Sequence, residues 1–341
     1  MKALFSNAGT TLLLMAAILV GGLLGWLQPV AGAALGARVD PLLLTLVSLL
    51  FFEVNLASLR RWREHSRVLA IAWVCNFLII PALGWGIARL FLSGQPLFLT
   101  GLVIYFMAPC TDWFLGFTRM ARGHVALGTV LLPLNLLTQV LLFPVYLHFI
   151  AGQQVAPDLS SLGRTLWTWC FQPLFVASAV HLTLRRLVAA AIFGRMLALT
   201  GRLIPCVLAT LVVCIFAANV STMLEHVRTF LLILAAVFVF FVLTYYLAEG
   251  AAKFFHLAYS DHALLTMTTA ARNAPLMLGL TMAALPNQPL IYAALIIGML
   301  VEFPHLTALK HLLLRRADAP PAPPASSSPQ PAPALPGQAT A

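Results

Sequence analysis

The chain has 341 residues, of which 61% are hydrophobic and only 9% are charged. A typical soluble domain is about 45–50% apolar and about 25% charged, so a soluble chain of this composition would lack the polar side chains needed to cover its surface. The composition excludes a soluble enzyme, a soluble nucleic-acid binder and a disordered protein. It predicts an all-α polytopic membrane protein.

Ten apolar segments, each of roughly 20 residues or more, predict ten transmembrane helices. They cover residues 8–28, 41–59, 67–92, 97–120, 124–151, 162–184, 199–221, 228–250, 261–285 and 289–314. The first segment has some features of a signal peptide, but we interpret it as a span because its removal would spoil the symmetry of the two halves. Residues 317–341 are rich in Pro, Ala and Ser and are expected to form a disordered cytoplasmic tail.

The basic side chains are distributed unequally between the two sides of the predicted membrane. With the N-terminus inside, 15 of the 20 lie on the inner side, four lie on the outer side, and Arg272 lies within a span. This distribution follows the positive-inside rule and predicts an integral plasma (inner) membrane protein with both termini in the cytoplasm. Membrane orientation therefore accounts for the net charge of +10, and nucleic-acid binding is not needed to explain it.

No motif for enzymatic or ATP-driven chemistry is present. The sequence contains no HExxH, no Ser/His/Asp order and no Walker-type loop, so we assign no catalytic residue and expect no cofactor. The five cysteines are odd in number and lack CxxC spacing, which argues against a disulfide framework or a metal site.

The fourth and ninth spans contain a weak internal repeat. The letters LGFT at 115–118 align with LGLT at 278–281 without a gap, which places Cys110 against Asn273. Each span is the fourth of a five-span half, and an odd number of spans per half turns the second half over in the membrane. The sequence thus predicts two inverted five-helix repeats.

Both of these spans are interrupted at a comparable depth by proline and polar residues. Proline removes a backbone donor and clashes with the preceding turn, and the freed backbone groups must face protein or a water-filled cavity. Paired interruptions in corresponding spans are typical of a binding site at the membrane midplane. The simpler alternative is a proline kink in each helix.

Four ionisable residues lie within spans and away from their ends, namely Glu53, Asp112, Arg272 and Glu302. Each costs roughly 2.5–3.5 kcal/mol at a helix centre. Asp112 and Arg272 lie on the two interrupted spans, so they form either a structural ion pair or part of a solute site if those spans cross. Glu53 is close enough to a basic span end to snorkel.

Neutral polar residues extend the candidate site. Asn135 and Gln139 in the fifth span and Gly298 and Glu302 in the tenth have the same four-residue spacing, which allows them to face one cavity from opposite halves. Cys110 lies in the interruption itself. Its thiol is either a soft ligand for a metalloid or a small group that permits close helix packing.

Three segments together resemble the bile acid:sodium symporter superfamily. They are PCTDWFLGFTRMARG in the fourth span, LPLNLLTQVLLFPVYL in the fifth, and ARNAPLMLGLTMAALPNQPLIYAALIIGMLVEFP across the ninth and tenth. Within the superfamily, residues 8–314 are most similar to the arsenical-resistance (arsenite efflux permease) branch.

The resemblance implies a two-part transporter domain. Core helices within 67–151 and 228–314 would hold the two broken helices, crossing at mid-membrane, and panel helices within 8–60 and 162–221 would rock against them. It also implies transport by alternating access. In the arsenite permeases a fourth-span cysteine is tied to metalloid transport, and Cys110 is at the matching place.

The ninth span departs from both branches. Sodium-coupled members carry a carboxylate in this interruption that helps to hold sodium, whereas residues 268–272 here read TTAAR. Arsenite permeases carry a glutamate where Pro275 aligns. A cation at Arg272 would oppose sodium binding, which favours proton coupling through Asp112 or Glu302, or an anionic substrate.

The sequence therefore predicts a secondary transporter that moves arsenite, another metalloid species or a related oxyanion outward. The candidate binding residues are Cys110, Thr111, Asp112, Asn135, Gln139, Arg272, Asn273 and Glu302. The expected partners are a small-molecule or ion substrate, H+ or Na+ as coupling ion, and the lipid bilayer. A sodium-coupled organic anion symporter and a non-transporting membrane scaffold are the alternatives.

Overall fold

The computed structural model describes residues 7–53, 66–111, 113–150, 163–164 and 167–317. Every regular element in these ranges is helical. The elements in chain order are α1 (Asn7–Leu27), α2 (Pro29–Gly36), α3 (Val39–Glu53), α4 (Ser66–Leu92), α5 (Pro96–Met107), α6 (Trp113–Met120), α7 (Val125–Ile150), a π-helical turn (Trp167–Phe171), α8 (Gln172–Leu187), α9 (Ala190–Leu224), α10 (Val227–Phe254), α11 (Tyr259–Ala270), α12 (Ala274–Ala284) and α13 (Pro289–Ala317).

Five of the described helices are long and apolar enough to cross a membrane, namely α4, α7, α9, α10 and α13. The pair α2 and α3 is bent by 45° and gives a sixth if it is counted as one span. The other predicted spans correspond to shorter or interrupted helices, so the ten-span topology remains a prediction. The tail at 318–341, the basic run at 60–65 and Asp112 lie outside the described residues.

The two predicted interruptions are present. In the first, α5 ends at Met107 and the backbone turns extended at Ala108 (φ −101°, ψ 109°), just before Pro109. In the second, α11 ends at Ala270 and Ala271 is extended (φ −75°, ψ 136°). A proline lies in the first turn of α12, where its missing N–H costs no helical hydrogen bond.

The apolar core of the described residues consists of two clusters that meet at these interruptions. Residues of α5 and α12 belong to the larger cluster, together with α1, α3, α9, α10 and much of α13. Residues of α6 and α11 belong to the smaller one, with parts of α4, α7 and α13. Each interrupted span therefore passes from one cluster to the other, and the two do so in opposite chain directions.

Glycines allow two helix pairs to approach at backbone distance. A Cβ at Gly101 of α5 would lie 2.4 Å from the carbonyl oxygen of Ile291 in α13, and a Cβ at Gly25 of α1 would lie 2.2 Å from that of Ala217 in α9. Small residues at such contacts permit close van der Waals packing, which drives the association of helices in a membrane, where the hydrophobic effect does not. Helices α1, α2 and α3 pack on α9, and α8 packs on α3.

Candidate functional site

The two interruptions are joined directly through their backbones. The amide of Cys110 donates to the carbonyl of Ala271 (3.0 Å), and the amide of Asn273 donates to the carbonyl of Ala108 (2.9 Å). The offset of 163 residues that aligns 115–118 with 278–281 also relates Cys110 to Asn273 and Ala108 to Ala271. The two hydrogen bonds are thus exchanged by the sequence repeat.

Buried polar side chains surround this crossing. Asn273 donates from Nδ2 to Oγ1 of Thr111 (3.0 Å). The hydroxyl oxygen of Thr268 accepts from Nδ2 of Asn76 (3.1 Å) and of Asn135 (3.3 Å). All five side chains are buried, so helices α4, α7 and α11 present amide and hydroxyl groups to one enclosed region.

Arg272 is completely buried, and its guanidinium group contacts backbone oxygens. Nη1 donates to the carbonyl of Phe106 (2.9 Å), and Nη2 donates to those of Thr268 (3.0 Å) and Thr269 (2.7 Å). The guanidinium carbon also lies 5.7 Å from the centre of the Phe240 ring. The predicted ion pair with Asp112 lies outside the described residues.

Glu302 connects the crossing to α13. Its Oε1 accepts the backbone N–H of Arg272 (3.0 Å), and its Oε2 accepts the hydroxyl of Tyr105 (3.3 Å). The Tyr105 ring packs over Gly298, where a Cβ would lie 2.9 Å from ring carbons. Glu302 is 3% exposed, so this carboxylate is both enclosed and hydrogen-bonded to each interrupted span.

Gln139 is buried, and neither of its amide atoms has a hydrogen-bond partner among the described residues. The 163-residue offset makes Gln139 the equivalent of Glu302 and Pro109 the equivalent of Arg272. Proline has no N–H to donate, so Gln139 cannot form the bond that Glu302 makes with Arg272. Gln139 instead lines a cavity of about 10 Å³.

The structure thus brings together Cys110, Thr111, Arg272 and Asn273 at the crossing, with Asn135, Gln139 and Glu302 on the long helices beside it. The Cys110 side chain is fully buried. Glu53 is half-buried on α3, with Oε1 close to Gly201 of α9.

Sequence reasoning missed three members of this region, namely Asn76, Thr268 and Tyr105. An amide inside the apolar third span was a visible signal for Asn76, although the π-helical turn at Cys75–Ile79 that contains it has no clear sequence mark. Such turns are frequent at functional sites. Tyr105 had no signal, because Tyr is common in membrane helices, and Thr268 stood out only as part of the TTAAR stretch that lacks a carboxylate.

A second polar cluster, also missed, lies at the predicted inner ends of three helices. Glu249 of α10 contacts His262 of α11 (3.0 Å) and is hydrogen-bonded to Arg316 of α13. Asp261, the residue before His262, has its Oδ1 2.8 Å from Nδ1 of His124. These contacts tie the ends of the helices that carry the crossing.

A polar cavity of about 460 Å³ separates α3 and α9 from the loop between α12 and α13. Asp40, Asn219, Asn287 and Tyr292 contribute to its lining. Asn219 is the point where the backbone of α9 leaves the helical conformation (φ −129°, ψ 18°). The cavity provides room for a small solute, whereas the crossing itself is closed in this conformation.

Known proteins are similar in sequence to this chain, one of them over most of its length and two over about a third of it. Arsenical-resistance protein Acr3 of Corynebacterium glutamicum is 24% identical over 310 residues, which is 86% of this chain and 83% of Acr3. The uncharacterised protein YbaS of Bacillus subtilis is 27% identical over 124 residues (36% of this chain, 40% of YbaS). The probable sodium/metabolite cotransporter BASS2 of Oryza sativa subsp. japonica is 25% identical over 122 residues (36% and 29%).

The model of the Sodium Bile acid symporter family matches residues 41–226, which is more than half of the chain. The resemblance in the sequence is thereby confirmed, and the apolar helices fit the integral membrane protein that this family implies. The chain belongs to the Sodium Bile acid symporter family of membrane transporters.

Proposed function

We propose that the chain is a secondary transporter that exports arsenite or a related small oxyacid by alternating access, coupled to H+ rather than Na+. The observation that carries the proposal is the helix crossing, in which two interrupted spans meet through reciprocal backbone hydrogen bonds. Arg272 provides a fixed positive charge there, and buried amides, hydroxyls and Glu302 surround it.

The same geometry supports ten spans in two inverted repeats. The sequence offset of LGFT and LGLT exchanges the two backbone hydrogen bonds and also relates Gln139 to Glu302. A two-fold axis in the membrane plane produces this pattern when the second half is turned over. We extend the proposal to cytoplasmic termini in the plasma membrane, as the positive-inside count predicts.

Helix packing supports a division into panel and core. The panel would comprise helices within 8–60 and 162–221, and α1, α2 and α3 do pack on α9. The core would comprise helices within 67–151 and 228–314. The polar cavity beside Asp40 lies between α3 and α9 on one side and the α12–α13 loop on the other, where a rocking motion would admit solute.

Each proposed site residue has a role that its position permits. Cys110 would supply a thiolate to a trivalent metalloid, and Asn273, Thr111, Asn135 and Gln139 would be neutral ligands for oxygen atoms. Glu302 and Asp112 would carry the coupling proton, since intramembrane carboxylates are the usual members of proton relays.

The relatives support different substrates. The name of Acr3 associates it with arsenical resistance, and that of BASS2 associates it with sodium and a metabolite. Uptake of an organic anion with sodium is the second candidate, supported by the family description. Arg272 favours the first, because a buried guanidinium repels a cation placed at the same carbonyl oxygens.

Proteoliposomes with imposed gradients test the proposal. Vesicles that contain the purified chain are given a proton or a sodium gradient and are offered arsenite, antimonite or small organic anions. We expect arsenite or antimonite flux driven by the proton gradient. Flux of organic anions that requires sodium would support the second candidate, and the absence of flux under every gradient would reject transport.

Gln139 allows a stability effect to be separated from a transport effect. Replacing Gln139 with Leu removes two buried polar atoms that have no partner among the described residues, so the melting temperature should stay equal or rise. Flux should nevertheless fall at least about tenfold, as loss of a ligand worth about 1.4 kcal/mol predicts. Asn135→Leu is the control, because it breaks a hydrogen bond to Thr268 and should lower the melting temperature. Full flux in Gln139→Leu would exclude Gln139 from the site.

Cys110 decides whether a thiol binds the substrate. Cys110→Ala should fold, since it removes one buried sulfur atom, but its apparent affinity for arsenite should fall by about tenfold or more. Cys214→Ala is the matched control, because Cys214 is also buried but lies on α9, away from the crossing. Equal arsenite affinity in both variants would mean that Cys110 serves packing alone.

A further inference from the structure

The carbonyl oxygens around Arg272 belong to the ends of two different helices. Phe106 lies in the last turn of α5, and Thr268 and Thr269 lie in the last turn of α11. The last four carbonyls of a helix have no hydrogen-bond donor within that helix. The guanidinium therefore donates to oxygens that the two interruptions leave without a helical partner. One side chain therefore caps both interrupted helices at once.

The electrostatics between the two helix ends favour a positive charge. Each helix C-terminus is equivalent to about half a negative charge, and two such ends converge on Arg272. The Glu302 carboxylate accepts the Arg272 backbone N–H, and the Phe240 ring presents its face at 5.7 Å. Aromatic faces and carbonyl oxygens both attract cations.

The Arg272 guanidinium does not use all of its hydrogen-bond donors. A guanidinium has five N–H donors, and Nε of Arg272 has no hydrogen-bond partner among the described residues. The oxygens of broken helix ends are groups that bind monovalent cations in transporters of this general design. The same oxygens would therefore accept a free cation if the side chain were absent.

We propose that the guanidinium of Arg272 occupies a site for a small monovalent cation between the C-terminal ends of α5 and α11. Because this positive charge is covalently attached to the chain, the chain does not need to bind a free cation there. The inference rests on the proposed function only where it concerns the ion that is coupled to solute transport. The occupancy of the site by a cation is a binding property and is measurable without any flux.

Thermal melting of the purified chain in detergent tests the proposal. The wild type should melt at the same temperature in sodium, potassium and choline chloride of equal ionic strength. Arg272→Ala should melt lower in choline. Millimolar guanidinium or sodium should raise its melting temperature saturably, by roughly 5 °C at saturation. Arg272→Lys keeps the charge and should show no cation response.

Two further variants make the result decisive. Arg89→Ala is the matched control, because Arg89 also lies over an aromatic ring, at 5.0 Å from Trp85, but is exposed; it should not respond to cations. Arg272→Gln keeps hydrogen-bond donors but has no charge, and it replaces Arg272→Ala in the melting experiment if Arg272→Ala does not fold. A neutral variant that melts cooperatively but ignores guanidinium, lithium, sodium and potassium overturns the proposal. A cation response without any solute flux would instead reject only the proposed function.

Discussion

Replacing Glu302 with Leu is expected to lower the melting temperature by roughly 5 °C and to abolish transport. The substitution leaves two buried donors without their acceptor, the Arg272 backbone N–H and the Tyr105 hydroxyl. Each buried donor left without its acceptor costs about 1–3 kcal/mol, and for two donors in a chain of this size that cost corresponds to roughly 5 °C.

Glu302→Gln is the matched control, because its carbonyl oxygen can still accept a hydrogen bond while the charge and the titrating proton are lost. It should melt close to the wild type and should retain solute binding. Its flux should no longer respond to an imposed proton gradient. A Glu302→Leu variant that melts within a degree or two of the wild type would show that these hydrogen bonds do not hold the crossing together.

A single methyl group at Gly101 should lower the melting temperature by about 1–4 °C and slow transport. The added Cβ would lie 2.4 Å from the Ile291 carbonyl oxygen and 2.8 Å from the Ala294 methyl group. A backbone oxygen cannot rotate away as a flexible side chain can, so α5 and α13 must separate. Overpacking typically costs about 1–3 kcal/mol, and both helices lead to the crossing.

Alanine at Gly86, unlike alanine at Gly101, should not lower the melting temperature. A Cβ built at Gly86 of α4 has no atom within 4 Å in the described structure, and alanine is favoured over glycine in a helix interior by about 0.5–1 kcal/mol. Gly86→Ala should therefore melt at the same temperature as the wild type or higher, measured in the same detergent. If the two alanine variants behave alike, the close approach of α5 and α13 is not essential.

The interruptions were the most predictable part of the site. Pro109 follows the end of α5, and Pro275 lies in the first turn of α12; proline disfavours a helix that would continue through it, and the sequence displays both prolines directly. The alignment of LGFT with LGLT then related Cys110 to Asn273 before any contact was known. The structure places both residues at one crossing and joins their segments by backbone hydrogen bonds.

The partners of Arg272 were not predictable from the sequence. A charge census can pair side chains only with other charged side chains, so it predicts Asp112, which lies outside the described residues, and it cannot find the three backbone carbonyls that the guanidinium contacts. Every residue has a carbonyl, and only the relative placement of two helix ends makes three of them available. The same holds for the clustering of Glu249 with His262 and Arg316, which depends on how three helix ends pack.

We infer that solute crosses the membrane at this helix crossing without a mobile sodium ion. The most direct measurement is the initial rate of arsenite flux into proteoliposomes at a fixed proton gradient, with sodium on both sides or with choline in its place. We expect the two rates to be equal, because Arg272 already supplies the positive charge at the helix ends. Flux that disappears in choline and returns with sodium would show that the chain needs a mobile sodium ion after all.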